Sequence, residues 1–326
     1  MTSDDFRVVY LGGMGRSGST LVERLLGELP GVCVAGELVH LWQRGVTDNE
    51  RCGCGTALRS CEFWSEVGRA AFGGWPGVDL ARIAALRGSI DRTRFIPKLA
   101  SPALAASARR ELAEYTSYYE RVYRAISQVS GCPVVVDSSK HASLAFCLRR
   151  SGTVDLRVLH MVRDSRAVAY SWTTRVRRPE AADAGGADGA ESGYMTRYSP
   201  ARAAREWDTQ NGALDLLARG DAPVLRVRYE DLVGAVKPAL RQIARFAGVA
   251  VEDGGLAFVG EDGGSQWAEL SASHSAAGNP MRFTAGRIDI KADERWRTAM
   301  PATARRTVTT LTLPLLRRYG YLRGPA

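Results

Sequence analysis

Residues 12–20, Gly-Gly-Met-Gly-Arg-Ser-Gly-Ser-Thr, have the composition of a loop that binds an anion. Glycine lets the backbone approach a ligand closely, and the bare N–H groups at the start of a helix attract negative charge. Gly13, Gly15 and Gly18 match the G-x-G-x-x-G spacing of dinucleotide-binding loops. The loop also matches the Walker spacing, except that Ser19 occupies the lysine position. Without that lysine an ordinary ATPase or GTPase is not expected.

The elements around this loop are those that usually position a phosphate. Residues 8–11 form a short apolar, β-branched run, typical of a buried parallel strand. From Ser19 onward the apolar residues recur at helical spacing. Other polar residues follow later predicted strands, at the edge where open parallel sheets bind ligands. They are Glu37 after residues 32–36, Lys140 and His141 after 133–137, and Arg163 after 155–162.

The chain of 326 residues is predicted to have an α/β fold, with a P-loop-like central parallel sheet flanked by helices. A hydrophobic content of 45% allows a sizeable core, and no linker-like stretch divides the chain. We predict a single domain over residues 1–326, with a cysteine-containing insertion near 50–64 and a mobile loop near 179–193. Residues 252–273 are glycine-rich and are predicted to be irregular. No targeting signal or membrane-spanning run is visible, so the expected location is the cytoplasm.

The net charge of +9 indicates an anionic partner. Nucleic acid is one candidate, but the 44 basic residues are dispersed along the chain and aromatic stacking motifs are missing. A highly anionic nucleotide cofactor accounts for the same charge. We therefore predict no nucleic-acid partner.

Two motifs resemble those of sulfotransferases that use 3′-phosphoadenosine 5′-phosphosulfate (PAPS), whose product is adenosine 3′,5′-bisphosphate (PAP). Residues 15–21 are similar to the loop that binds the 5′-phosphosulfate in that family. Residues 159–171 resemble its 3′-phosphate site, where an arginine ends a strand and a serine follows eight positions later. The resemblance implies PAPS as the cofactor, with contacts to Gly15, Arg16, Ser17, Gly18, Ser19, Thr20, Arg163 and Ser171.

The same resemblance implies catalytic roles. In tyrosylprotein and related bacterial sulfotransferases, a glutamate placed like Glu37 serves as the catalytic base. Lys140 corresponds to a lysine that contacts the transferring sulfuryl group, and Arg16 would stabilise charge with it. His141 is the alternative base, because vertebrate cytosolic relatives use histidine. The implied reaction is in-line transfer of a sulfuryl group to an acceptor hydroxyl, with no metal in the site.

Three later residues complete the implied cofactor site. Tyr229 belongs to a Tyr-Glu-Asp-Leu run that also resembles the family, although packing at a strand end explains it at least as well. Arg282 and Arg287 lie where the family closes its nucleotide site with a basic, glycine-containing loop. The Gly-Asp-Trp-Lys run of the cytosolic enzymes is not present in this sequence.

Cys52, Cys54 and Cys61 lie within ten residues and allow two interpretations. They could hold a metal ion, with His40 as a fourth ligand. The simpler interpretation is free thiols in a loop over the core. C-x-C is not the usual C-x-x-C spacing of zinc sites, and six cysteines in a chain of this length need no disulfide framework.

The predicted activity is that of a PAPS-dependent sulfotransferase acting on a hydroxyl of a small-molecule, lipid or carbohydrate acceptor. A nicotinamide-dependent oxidoreductase is one alternative, since the glycine pattern followed by Glu37 could hold a dinucleotide and its ribose. That alternative leaves Arg163 and Ser171 unexplained. A non-catalytic, basic nucleotide-binding module is the second alternative. Homo-oligomerisation is left open.

Overall fold

A computed structural model describes residues 6–177, 193–252 and 254–322. The loop predicted near 179–193 lies, apart from Gly193, outside these ranges. Within them the predicted α/β fold is confirmed, because helices flank a five-stranded parallel sheet with the order β2-β3-β1-β4-β5. The strands of this sheet are β1 (Arg7–Gly12), β2 (Val32–Gly36), β3 (Val134–Lys140), β4 (Asp155–Val162) and β5 (Val224–Arg228).

The central strand β1 is apolar on both of its faces. Val8, Val9, Tyr10 and Leu11 are fully buried. Because side chains alternate along a strand, Val8 and Tyr10 join the core on one side of the sheet, and Val9 and Leu11 join the core on the other. β1 pairs in parallel with β3 and β4, so the carboxyl ends of these strands meet at one edge.

The helices cover both faces of this sheet. They are α1 (Ser19–Leu26), α2 (Glu62–Phe72), α3 (Leu80–Ile90), α4 (Ile96–Ala100), α5 (Ala106–Ser130), α6 (Ala142–Ser151), α7 (Ser165–Thr173), α8 (Pro200–Leu217), α9 (Tyr229–Gly234), α10 (Val236–Ala247), α11 (Trp296–Ala299), α12 (Ala302–Leu311) and α13 (Leu313–Arg318). α1 and α10 contribute to the core on the Val9 side, whereas α2, α3, α5 and α6 contribute to the core on the Val8 side. In the described ranges no helix is both long and apolar enough to cross a membrane.

Two strands of a small antiparallel sheet lie within residues 252–273, which were predicted to be irregular, so that prediction is wrong. Its strands are β6 (Val259–Asp262), β7 (Ser265–Leu270) and β8 (Gly286–Ile290). Gly263 and Gly264 connect β6 to β7, and both have positive φ. A two-residue glycine turn is typical of a hairpin, so the glycines that suggested irregular structure belong to the turn.

The glycine loop starts where β1 ends, and its backbone is crowded. Gly13 has a φ of 141°, and a Cβ atom there would lie 2.3 Å from the carbonyl oxygen of Met161 in β4. Gly18 has a φ of 87°, and its Cβ would lie 2.5 Å from the ring of Tyr229. Only glycine allows the loop to pass so closely over the strand ends.

Gly13→Ala is expected to destabilise the fold more than Gly152→Ala. Gly152 also has a positive φ, 65°, but an added Cβ would meet nothing within 4 Å. Gly152→Ala therefore costs only the strain of a left-handed backbone, about 1–2 kcal/mol. Gly13→Ala adds the collision with the backbone of Met161, worth about 1–3 kcal/mol more. Urea unfolding of the two variants measures this difference, and equal losses would contradict the crowding of the loop.

Candidate functional site

Most of the predicted site residues line one cleft at the carboxyl edge of the five-stranded sheet. The cleft has a volume of about 990 Å³. The predicted residues that line it are Gly15, Arg16, Gly18, Ser19, Thr20, Glu37, Lys140, His141, Arg163, Ser171 and Tyr229. Ser17 belongs to the same loop, but it is fully buried and does not line the cleft.

The glycine loop supplies backbone donors and a cation. α1 begins at Ser19 with Gly18 as its N-cap, so the N–H groups of its first turn have no partners within the helix. Arg16 has a φ of 76°, which is uncommon outside glycine. Among the residues that the structure describes, Arg16 Nε and Ser17 Oγ are buried without a hydrogen-bond partner. Buried polar groups are normally paired, so this loop fits an anionic ligand that brings acceptors.

Arg163, the first residue after β4, is held in the cleft by neighbouring groups. Its guanidinium donates to the carbonyl oxygen of Arg16 at 3.2 Å and to that of Asp293 at 2.9 Å. It also lies 4.4 Å from the ring centroid of Tyr229. A guanidinium has five N–H donors, so these two bonds orient the side chain and leave donors for an anion.

An aromatic pair beside Ser171 was missed by the sequence analysis. The indole N–H of Trp172 donates to the carbonyl oxygen of Gly15 at 3.0 Å, which ties α7 to the glycine loop. Trp172 also stacks on Tyr198, with ring centroids 4.2 Å apart and an angle of 3° between the rings. Both rings line the cleft. A tryptophan next to Ser171 was the available signal, but its stacking partner Tyr198 lies in a distant part of the sequence.

Glu37 and Lys140 form an ion pair at the carboxyl ends of β2 and β3. Lys140 Nζ contacts Glu37 Oε1 and donates to the carbonyl oxygen of Ser138 at 3.2 Å. The side chain of Glu37 is only 14% exposed and that of Lys140 only 12%, and both line the cleft. Lys140 has a φ of 71°. Strained backbone of this kind persists where the surrounding structure enforces it, and it is concentrated at functional sites.

The ion pair sets the protonation state of Glu37. Burial is the largest single effect and acts to raise the pKa of this carboxyl. The charge and hydrogen bond of Lys140, together with the charges of His40 and Arg44, outweigh it, so the pKa of Glu37 is lowered. His40 Nε2 lies 3.5 Å from Glu37 Oε2. Burial lowers the pKa of His40 to about 4 and also lowers the pKa of His141. At neutral pH the cleft therefore contains a carboxylate beside neutral imidazoles.

Arg282 is not brought to the cleft. It is buried, and its guanidinium donates to the carbonyl oxygen of Gly278 at 2.8 Å and to that of Arg51 at 3.1 Å. These bonds connect the chain after β7 to the cysteine-containing insertion. Arg282 therefore has a structural role in this fold, and it does not line the cleft in which the predicted contact with the cofactor would be made.

Arg287 also lies away from the cleft. It pairs with Asp262 and lies 4.3 Å from the ring centroid of Trp267, so the small sheet holds it. The basic residues that line the cleft in this region are Lys291 and Arg295. The cleft-lining cations of this region therefore differ from the two arginines that the resemblance implied.

Comparison of the sequence with known protein families gave a match. A family model described as a sulfotransferase domain matches residues 7–262. No match was found among curated proteins.

Three similar solved structures illustrate the likeness. The sulfotransferase domain from the Synechococcus PCC 7002 olefin synthase is 20% identical, with 98% of this chain and 95% of that chain covered and a TM-score of 0.47. The sulfotransferase domain from the curacin biosynthetic pathway is 17% identical, with 94% and 98% covered and a TM-score of 0.45. The sulfotransferase STF1 from Mycobacterium tuberculosis H37Rv is 17% identical, with 77% and 69% covered and a TM-score of 0.41. Because the family model matches well over half of the sequence, the chain belongs to the sulfotransferase family.

Proposed function

We propose that this sulfotransferase moves a sulfuryl group from PAPS to a hydroxyl of a small-molecule acceptor and releases PAP. The observation that best supports this is the meeting of three groups in one cleft: the glycine loop, Arg163 and the Glu37–Lys140 ion pair. The loop and Arg163 suit the two phosphate positions of the donor. The ion pair supplies a base beside a cation.

Donor binding is assigned to the glycine loop and to the end of β4. PAPS supplies the activated sulfuryl group on its 5′-phosphate. The N–H groups at the start of α1 and the guanidinium of Arg16 would hold the 5′-phosphosulfate. Arg163 and Ser171 would hold the 3′-phosphate, because arginine binds phosphate through charge-assisted, often bidentate hydrogen bonds. Tyr229 would pack beside them.

Glu37 is assigned the role of general base. Its carboxylate would accept the proton that the acceptor hydroxyl loses as the oxygen attacks sulfur. Lys140, already in contact with Glu37, would stabilise negative charge on the sulfuryl oxygens, and Arg16 would do so at the leaving phosphate. His141 is the competing base, since its neutral imidazole is able to take a proton. As in phosphoryl transfer, positioning and electrostatics would carry most of the rate enhancement.

Residues that the donor does not require give the remaining cleft a polar character. Thr93, Glu206 and Gln210 line it. The Gln210 side chain accepts from the N–H of Ala142 at 3.0 Å and donates to Thr93 Oγ1 at 3.5 Å, which fixes its amide. Hydroxyl, carboxylate and amide groups match an acceptor with several hydroxyls, so a carbohydrate or another polar small molecule suits the cleft better than a wholly apolar lipid.

The nicotinamide-dependent alternative accounts for fewer of these contacts. It uses the glycine loop and Glu37, but Lys140 is in contact with the carboxylate that a ribose hydroxyl would need. A thermal-shift comparison separates the two ligand classes, since a ligand stabilises the protein that binds it. PAP should raise the melting temperature, whereas NAD and ATP at the same concentration should leave it unchanged.

Arg163→Ala is expected to weaken PAP binding by about 1.5–3 kcal/mol, the value of a hydrogen bond to a charged group. Adenosine 5′-phosphosulfate lacks the 3′-phosphate, so its binding should change little. Arg287→Ala is a matched control, because it removes the same charge from the small sheet, away from the cleft. Calorimetric titration gives both affinities. Equal losses for the two ligands would refute the 3′-phosphate assignment.

Lys140→Met is expected to reverse the contribution of Glu37 to the pH dependence of stability. In the wild type the lowered pKa of Glu37 adds stability above the pKa of the unfolded chain, and this is lost as the pH falls through the folded pKa. Without Lys140, burial dominates and raises that pKa, so stability is lost as the pH rises. The variant should be less stable by about 3 kcal/mol at pH 7, the lower end for a broken buried pair, because both side chains face a cleft.

Urea unfolding at pH 7 and at pH 4 measures this change. The deficit of Lys140→Met, which is its loss of unfolding free energy relative to the wild type, should be smaller at pH 4. The double variant Lys140→Met with Glu37→Gln is the control, because it removes the titrating group. Compared with this double variant, Lys140→Met should be less stable at pH 7 than at pH 4, because only the single variant keeps a buried carboxyl that must ionise as the pH rises. A deficit of Lys140→Met that does not depend on pH would show that Lys140 does not control the ionisation of Glu37.

Glu37→Gln is expected to lower turnover by about 10²–10⁴-fold, the contribution of a general base. The substitution is nearly isosteric, so PAP affinity should stay within a few-fold. Turnover is measured at saturating PAPS and acceptor, or as slow hydrolysis of PAPS when no acceptor is known. His141→Ala is the comparison. Near-normal turnover of Glu37→Gln together with an inactive His141→Ala would transfer the role of base to the histidine.

A further inference from the structure

A second cluster of ligand-type side chains lies outside the cleft. Cys52, Cys54, Cys61 and His274 each offer one ligand atom, and these atoms all lie within 4.8 Å of one another. We propose that these four residues bind a structural Zn²⁺ ion. The cluster has no part in the proposed sulfuryl transfer, so the two proposals can be tested separately.

Four of the six distances between the ligand atoms are close to those of a tetrahedral zinc site. Cys61 Sγ lies 3.7 Å from Cys52 Sγ and 3.8 Å from Cys54 Sγ. His274 Nδ1 lies 3.6 Å from Cys52 Sγ and 3.3 Å from Cys61 Sγ. With Zn–S bonds of about 2.3 Å and Zn–N bonds of about 2.0–2.1 Å, a tetrahedron has edges of about 3.8 Å between sulfurs and about 3.6 Å between sulfur and nitrogen. The separation of Cys52 Sγ and Cys54 Sγ, 3.1 Å, is shorter than its edge, and the remaining pair, Cys54 Sγ and His274 Nδ1, lies within 4.8 Å.

Disulfide bonding does not explain the cluster. Its shortest sulfur–sulfur separation, 3.1 Å, is far longer than a disulfide bond of about 2.0 Å, and all six cysteines are free. Simple packing of thiols gives no reason for three sulfurs and an imidazole nitrogen to converge on one point. A four-coordinate ion requires that convergence.

The backbone around the cysteines is shaped as a ligand loop. The N–H of Cys54 donates to Cys52 Sγ at 3.4 Å. The N–H of Cys52 donates to the carbonyl oxygen of Thr56, and the N–H of Gly55 donates to that of Cys52, both at 2.8 Å. The hydrogen bond to Cys52 Sγ would orient this ligand and help to stabilise its thiolate charge, and the two backbone bonds close the turn. The tight turn therefore makes the short C-x-C spacing compatible with two ligands on one ion.

The imidazole is positioned by its neighbours in α2. Phe63 stacks on the ring of His274, with centroids 4.9 Å apart and an angle of 21° between the rings. The indole N–H of Trp64 donates to the carbonyl oxygen of His274 at 2.7 Å. The sequence analysis considered His40 as the fourth ligand, but His40 lies beside Glu37 in the cleft. The histidine at the cysteines is His274.

The donor set selects zinc. Three thiolates and one imidazole in a tetrahedral arrangement are typical of structural Zn²⁺, whereas Mg²⁺ and Ca²⁺ prefer oxygen ligands. Four protein ligands also complete the coordination, which leaves no open position for a substrate. The expected role is therefore to hold the structure together.

The ion would fasten the segment 271–278 onto the sheet edge that carries Glu37. Next to the cluster, the N–H of Gly53 donates to the carbonyl oxygen of Ser275 at 3.0 Å. The N–H of Glu37 donates to the carbonyl oxygen of Ala277 at 3.2 Å. One cross-link at His274 would thus fix a segment that is short of regular structure and that supports the backbone of the proposed base.

Zinc analysis of the purified chain tests the site. We expect one zinc ion per chain by plasma mass spectrometry, and its loss in His274→Ala and in Cys61→Ser. Cys132→Ser is a matched control, because Cys132 is another free cysteine outside the cluster. His40→Ala is the second control, because it removes the histidine that lies nearest to the cysteines in sequence. Both controls should retain the ion.

Loss of a ligand can unfold the chain, so the wild type supplies a second measurement. Co²⁺ exchanged into the native protein should produce thiolate-to-cobalt absorption and the visible bands of a tetrahedral site. Three results would each overturn the assignment. They are a metal-free protein that takes up neither Zn²⁺ nor Co²⁺, a disulfide between two of the three cysteines, and zinc that persists in His274→Ala but disappears in His40→Ala.

Discussion

The carboxyl end of β3 is held by a buried carboxylate, Asp137, and the proposed catalytic groups depend on it. Asp137 accepts hydrogen bonds from the hydroxyl of Tyr123 at 2.6 Å and from the N–H of Ser139 at 2.8 Å. The hydroxyl of Ser139 also bonds to Asp137, and it accepts the N–H of Val39 at 2.9 Å. Burial raises the pKa of Asp137 to about 6, although these hydrogen bonds act to lower it. One side chain therefore joins α5, the end of β3 and the turn that follows Glu37.

This clamp coincides with an irregularity of the sheet. Tyr10 lies opposite Asp137 and Gly12 lies opposite Lys140, so β3 has one more residue than β1 over this interval. An extra residue of this kind redirects a side chain and ends regular pairing. Lys140 adopts its positive φ at this point and turns onto Glu37. The ion pair is thus a consequence of backbone geometry, which explains how two charges can be largely buried and still meet.

The strands and the glycine loop could be predicted because their signals are local. A buried parallel strand is apolar along its length, and the polar residue after it faces the ligand edge, which is how Glu37 and Arg163 were identified. Contacts between distant segments leave no local signal. Lys140 is 103 residues from Glu37, and their meeting depends on which strands are neighbours. For the same reason the sequence pointed to His40 beside the cysteines, whereas His274, 213 residues after Cys61, lies there.

A second buried carboxylate, Glu23, connects the anion-binding helix to the rest of this arrangement. Glu23 lies on α1 and accepts hydrogen bonds from Ser138 Oγ at 2.6 Å and from Ser275 Oγ at 2.7 Å. Burial raises its pKa, and these two bonds oppose the rise. Ser138 precedes Lys140 in β3, and Ser275 follows His274. Loss of either donor leaves a buried acceptor unpaired, at a cost of about 1–3 kcal/mol. Glu23 therefore connects three parts of the structure by hydrogen bonds. They are α1, which would bind the phosphosulfate, β3, which carries Lys140, and the segment 271–278, which the metal would hold.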